Sequence, residues 1–172
     1  MIARSRLFGL LIAVAIAPVS GAFAQVIHDH TAILRQLAPA APTSTAEPRS
    51  IDLDIRFAVN SADLLPEASR QLDELAAALR SPRLSDAPIL IAGHTDASGS
   101  ASANRQLSER RAISVKIYLV ERHRLDPRRF RVAGHGSDRL KLPFDPRNPV
   151  NRRVEIAVAV TEGGVGVARP VR

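Results

Sequence analysis

Residues 93–112, GHTDASGSASANRQLSERRA, carry a lone aspartate through a Gly/Ser-rich loop and then a doubled arginine onto a helix. Directly before them, 87–94 (APILIAGH) is a short, continuous apolar run bounded by turn residues, the pattern of a strand covered on both faces and the best candidate for the centre of a sheet. Ser102 or Asn104 can cap the helix, which runs through RQLSERRAISVKIYLVERH to residue 123. The unit is strand, loop, helix. Asp96 falls just past the strand's end, where loops of layered α/β structures build sites.

Working outward, Ile51, Leu53, Ile55 and Phe57 alternate with Asp52, Asp54 and Arg56, which predicts a strand with one buried face. In 60–82, NSADLLPEASRQLDELAAALRSP, Pro66 suits a first helical turn, and Ala68, Leu72, Leu75, Ala76 and Leu79 recur at helical spacing before Pro82. After the second helix, 129–136 (RFRVAGHG) reads as a strand broken at its glycines. The segment 137–151, with three prolines, reads as a surface loop, and 152–160 (RRVEIAVAV) as the last strand. Helices linking strands favour parallel neighbours by right-handed crossovers, so the middle strands are expected to be parallel and the last antiparallel. The expected fold is α+β, with helices packed on one face of a mixed four-stranded sheet.

The start of the chain reads as a secretory signal over residues 1–24: Arg4 and Arg6, an apolar run from Leu7 to Val19 too short to span a bilayer, and Ala22-Phe23-Ala24 as the cleavage site. Its removal takes two arginines and no acid, lowering the formal charge from +7 to +5. With no cysteine there is no disulfide and no acylated anchor at the cleavage site. The basicity is almost all arginine, suited to bidentate pairing with carboxylate or phosphate. Nucleic acid is a poor candidate partner for an exported chain with one Tyr, no Trp and no basic run interleaved with aromatics. An anionic envelope polymer or lipid headgroup fits better. Residues 25–50 read as an N-terminal segment with an Ala/Pro-rich linker, 51–160 as the domain, and 161–172 as a tail. His28-Asp29-His30 lacks a third ligand of known position and reads as solvated chain, so no metal or cofactor is expected. The piece HTAILRQLA, 30–38, reads as one or two helical turns, marginal unless packed.

The two arginines of the helix are not equivalent. Arg111 shares a stripe with Leu107, Val115, Tyr118 and Leu119, whereas Arg110 has Gln106 and Ser114 as helical neighbours and a more exposed face. A guanidinium on an apolar stripe needs an acid or a polar pocket, and Asp96 is the nearby candidate. Spacing leaves two readings open: a structural Asp96–Arg111 ion pair, or a site. A carboxylate and a guanidinium held apart complement a zwitterion, Asp96 accepting from an ammonium and Arg111 gripping a carboxylate, with the helix N-terminus adding donors.

FAVNSADLLPEA, IAGHTDASGS, NRQLSERRAISVKIYL, VAGHG and NRRVEI, in this order and spacing, resemble the OmpA-like C-terminal domain shared by OmpA, Pal and MotB proteins. The resemblance covers 51–160 and implies a two-layer βαβαβ-β sandwich that binds peptidoglycan without covalent attachment. It further implies that Asp96 and Arg111 hold the ammonium and carboxylate of meso-diaminopimelate in the stem peptide. Thr95, Asn60, Asn104 and Arg152 fall on family contact positions. The chain departs from the family after VAGHG, with Ser137, Leu140 and a later Pro143 in place of an early acid and proline.

These readings make the chain a periplasmic binding module associated with the wall and the outer membrane, rather than an enzyme. One alternative is an adaptor whose residues 25–38 dock on an outer-membrane or secretion partner, because Val26, Ile27, Ile33, Leu34 and Leu37 need burial. A less favoured one is a wall hydrolase built on His94 and His135, which approach each other if their strands pair.

Overall fold

The computed structural model describes residues 29–38 and 49–158. The signal segment, Val26, Ile27, His28, most of the linker and the tail therefore lie outside the described residues. Seven regular elements follow in order: α1 (His30–Leu37), β1 (Arg49–Leu53), α2 (Ala68–Leu79), β2 (Ile89–His94), α3 (Ala101–His123), β3 (Phe130–Gly136) and β4 (Val154–Val158). The sheet order is β1-β4-β2-β3. β2 and β3 are parallel, joined through α3, and β4 runs antiparallel between β1 and β2. The α+β architecture, with helices on one mixed four-stranded sheet, is the one expected.

Each element buries the face its sequence marks. Ala68, Leu72, Leu75, Ala76 and Leu79 of α2 are wholly buried. They join Ile51 and Leu53 of β1, Ile89 and Ile91 of β2, Val115 and Leu119 of α3, and Val154 and Ile156 of β4 in one core. Full burial of one such Leu or Ile contributes roughly 1.5–3 kcal/mol.

Three elements differ from the sequence reading. β1 ends at Leu53. Ile55 remains in the core, but Phe57 leaves the sheet and bridges to Leu64, closing a small turn over 58–63. β3 runs on through its glycines to Gly136, but its register against β2 shifts there, Gly93 pairing with Gly134 and His94 with Gly136. Gly93 and Gly134 are required because α3 lies backbone-to-backbone on the sheet. A Cβ on Gly93 would meet the Ser108 carbonyl, and one on Gly134 would sit 2.6 Å from the Arg105 carbonyl oxygen. The third difference is α1. Ile33 and Leu37 are fully buried in the common core and Leu34 packs against it. The burial these three need is thus supplied by the domain itself, not by an outside partner. Asp29 caps α1, accepting from the Ala32 N–H at 2.8 Å, and His30 meets Glu74 of α2. The structural unit therefore begins ahead of residue 51.

Candidate ligand-binding site

The close approach of α3 to β2 and β3 sets the position of its N-terminus beside the end of β2. Ser100, two residues before Ser102 and four before Asn104, is the cap: its Oγ accepts from the Ala103 N–H at 3.2 Å. Asn104 is thereby released for another task. It is buried, and its Nδ2 donates to the Asp96 carbonyl at 3.3 Å, tying helix to loop.

Asp96 is 7% exposed. Its Oδ1 accepts from the Ser98 N–H at 2.9 Å, and its Oδ2 accepts from Arg152 Nη1 at 2.7 Å. Burial pushes its carboxyl up, but the Arg152 guanidinium and the Ser98 N–H outweigh that and hold it below the usual carboxylate range. Asp96 is an anion at neutral pH.

Arg111 and Arg110 separate as helical spacing predicts, half-buried and exposed respectively. Yet Arg111 makes no ion pair with Asp96; the acid's partner is Arg152. Arg111 is anchored instead by its Nε, which donates to the Ser61 carbonyl at 2.9 Å, and by the Phe57 ring, whose centroid lies 5.0 Å from its central carbon. Its two Nη groups make no hydrogen bond among the described residues. Desolvation and the repulsion of Arg152 lower its pKa, with Asp96 only partly offsetting them. A cation whose environment disfavours its charge gains when an anion arrives. The structural ion-pair reading is therefore overturned: acid and base are close enough to feel each other, but are held apart.

The remaining predicted residues surround this pair. Thr95 is buried with its backbone N–H donating to Gly136 and its Oγ1 unpartnered. Asn60 is exposed in the 58–63 turn, in the left-handed region at φ 52°, next to the Ser61 carbonyl that anchors Arg111. Arg152 is half-exposed and reaches Asp96 from the residues leading into β4. Sequence reasoning missed Asn151, which is fully buried. Its Oδ1 accepts from the Leu142 N–H at 2.9 Å and its Nδ2 donates to the Asp145 and Pro146 carbonyls. Pro146 in turn accepts from the Ala97 N–H at 2.8 Å, beside Asp96. The proline-rich loop is thereby fixed against the site.

His94 and His135 do approach, with ring centroids 5.2 Å apart. His94 is buried, its Nε2 lies 3.3 Å from Glu155 and its Nδ1 is unpartnered. Among the described residues no group of three or more acids and histidines is placed to hold a metal ion. Nor is any helix there long and apolar enough to cross a membrane.

A family model described as the OmpA family matches residues 56–155. The chain belongs to the OmpA family. Outer membrane protein A of Bordetella avium is 36% identical over 123 residues, 68% of this chain and 60% of that protein. Outer membrane protein A of Shigella flexneri is 38% identical over 87 residues, 50% of this chain and 25% of that protein. The chain thus spans less than two-thirds of the curated relatives it matches. The cell wall anchor of the T6SS from Pseudomonas aeruginosa matches with a TM-score of 0.50 at 30% identity, covering 64% of this chain and 79% of that one. The periplasmic domain of Helicobacter pylori MotB matches with a TM-score of 0.58 over 70% of this chain and 79% of that one; at 17% identity this shows the OmpA-like fold alone.

Proposed function

We propose that this OmpA-family chain binds peptidoglycan non-covalently in the periplasm, taking the zwitterionic end of a diaminopimelate stem peptide between Asp96 and Arg111. The observation that carries the reading is Arg111: a half-buried guanidinium, fixed by Ser61 and Phe57, with its Nη groups unused and no paired anion among the described residues. Those groups suit two parallel hydrogen bonds to a carboxylate. Asp96 is the matching acceptor for an ammonium. Arg152, half-exposed, occupies one of its oxygens, so an incoming ammonium competes with Arg152 for that oxygen and frees the arginine to turn towards the ligand carboxylate. Asn104 and the Ser98 N–H hold the aspartate in place, Asn60 lines the approach, and Thr95 backs the aspartate from the buried side. The name of the Pseudomonas relative, a cell wall anchor, agrees with this reading.

Cosedimentation of the mature chain with purified sacculi tests it. Asp96→Ala and Arg111→Ala proteins, shown to be folded by circular dichroism, are expected to remain in the supernatant. If both pellet like wild type, the reading is wrong.

A further inference from the structure

Seven large apolar residues are exposed among the described residues, and five of them, Val59, Leu65, Leu142, Phe144 and Val150, lie on the two loops that hold the site. Val59 and Phe144 are the extreme cases, at 92% and 104%. Neither is on a floppy strand end. Val59 belongs to the hydrogen-bonded turn that presents Ser61 to Arg111. Phe144 belongs to the loop that Asn151 ties down and that reaches Ala97 through Pro146. An aromatic held fully in water by a fixed loop forgoes the free energy of its burial, and apolar groups clustered around a polar site mark a contact surface.

We propose that Phe144 is an aromatic platform for a sugar ring of the glycan strand to which the clamped stem peptide is joined. This rests on the peptidoglycan reading above. A pyranose has polar edges and an apolar C–H face, and those C–H groups complement the negative face of an aromatic ring. Reach agrees. Phe144 lies two residues from Pro146, so at about 3.5 Å per residue its backbone is within roughly 7 Å of that residue, and the Pro146 carbonyl is 2.8 Å from the Ala97 N–H. A stem of two or three residues spans about 7–11 Å between its sugar and its distal amino acid. A lipid surface fits less well, because the apolar side chains are split between two loops with the charged Asp96, Arg111 and Arg152 between them.

The test uses the mature chain and two soluble probes in calorimetric titration: a free diaminopimelate-terminated stem peptide, and the same peptide joined to its disaccharide. Wild type is expected to bind the disaccharide probe more tightly. Phe144→Ala should weaken that probe about 5- to 20-fold and leave the free peptide within about twofold, and Phe144→Tyr should restore it. Equal loss on both probes, loss on neither, or no wild-type preference for the disaccharide overturns the proposal. So does binding to anionic phospholipid vesicles that Phe144→Ala abolishes. Failure of the clamp itself reads differently: Asp96→Ala and Arg111→Ala would then leave the free-peptide affinity unchanged.

Discussion

Replacing Gly93 by alanine sets the sheet against α3 without touching a charged group. A Cβ there would stand 2.8 Å from the Ser108 carbonyl carbon and 3.1 Å from its Cα, with the carbonyl oxygen nearer still, against 3.4–4 Å for ordinary contact. All three are backbone atoms, so no rotamer change relieves the clash, and α3 must withdraw by about 1 Å. Overpacking of this kind costs about 1–3 kcal/mol. Withdrawal also stretches the buried bond from the Gly136 N–H to Ser108 Oγ, 2.9 Å long, adding about 1 kcal/mol. The expected loss is about 2–4 kcal/mol, read as a fall of about 1 M or more in the urea midpoint followed by circular dichroism. Gly99→Ala is the control: nothing lies within 4 Å of its Cβ and only its φ of +86° is strained, at about 1–2 kcal/mol. An unchanged midpoint for Gly93→Ala, or an equal fall for Gly99→Ala, would refute backbone contact as the reason for the glycine.

Ile33→Ala, in a residue wholly inside the core, should lower the unfolding free energy by about 2–4 kcal/mol; an unchanged midpoint would mean that α1 is not part of the folded unit. Asn151→Ala should cost about 2–3 kcal/mol and raise proteolysis within 142–150, since Leu142, Asp145 and Pro146 lose their shared partner; unchanged protease resistance would dismiss the fastening role. Glu155 is held down at about 2 mainly by its hydrogen bond to His94, with burial opposing and Ser50 and Arg153 assisting. A depressed carboxylate stabilises the fold fully above its unfolded value near 4.5 and loses that contribution as pH falls towards 2, on the order of 3 kcal/mol in all. The urea midpoint of Glu155→Gln should therefore fall less between pH 5 and pH 3 than that of wild type, and parallel curves would contradict this.

How much of this was legible in the sequence follows from the range of each signal. The five core positions of α2 and the alternating strands were readable because periodicity is local and burial follows it directly. The exposure of Arg110 against Arg111 was readable for the same reason. The partner of Asp96 was not, because Arg152 lies 56 positions away and meets it only when β4 inserts antiparallel between β1 and β2. No pattern within either segment encodes that neighbour choice. The role of α1 escaped for a related reason: eight residues are too few to predict a stable helix alone, and the groove between α2 and β1 that buries Ile33 and Leu37 exists only in the folded chain. Asn151 was hidden among three prolines, where irregular backbone offers no period to count.

The site's charges make a selectivity argument that the sequence alone could not supply. Two guanidiniums, Arg111 and Arg152, face one carboxylate, Asp96, and only Arg152 is paired with it. With an amine-blocked ligand, Asp96 keeps Arg152 and loses little, while the ligand carboxylate still reaches Arg111. With a carboxylate-blocked ligand, Arg111 keeps its repulsion from Arg152 and gains no anion, and the ammonium must displace Arg152 to reach Asp96. If the ligand is the diaminopimelate end proposed above, amidation of its carboxylate should therefore weaken binding more than acetylation of its amine. A lost charge-assisted bidentate contact is worth about 1.5–3 kcal/mol, or about 10- to 150-fold in affinity. Competition of the two derivatives against wild-type binding to sacculi measures the order. If acetylation costs as much as amidation or more, Arg152 is not standing in for the ammonium, and the resting pair it makes with Asp96 must be broken by some other contact of the ligand.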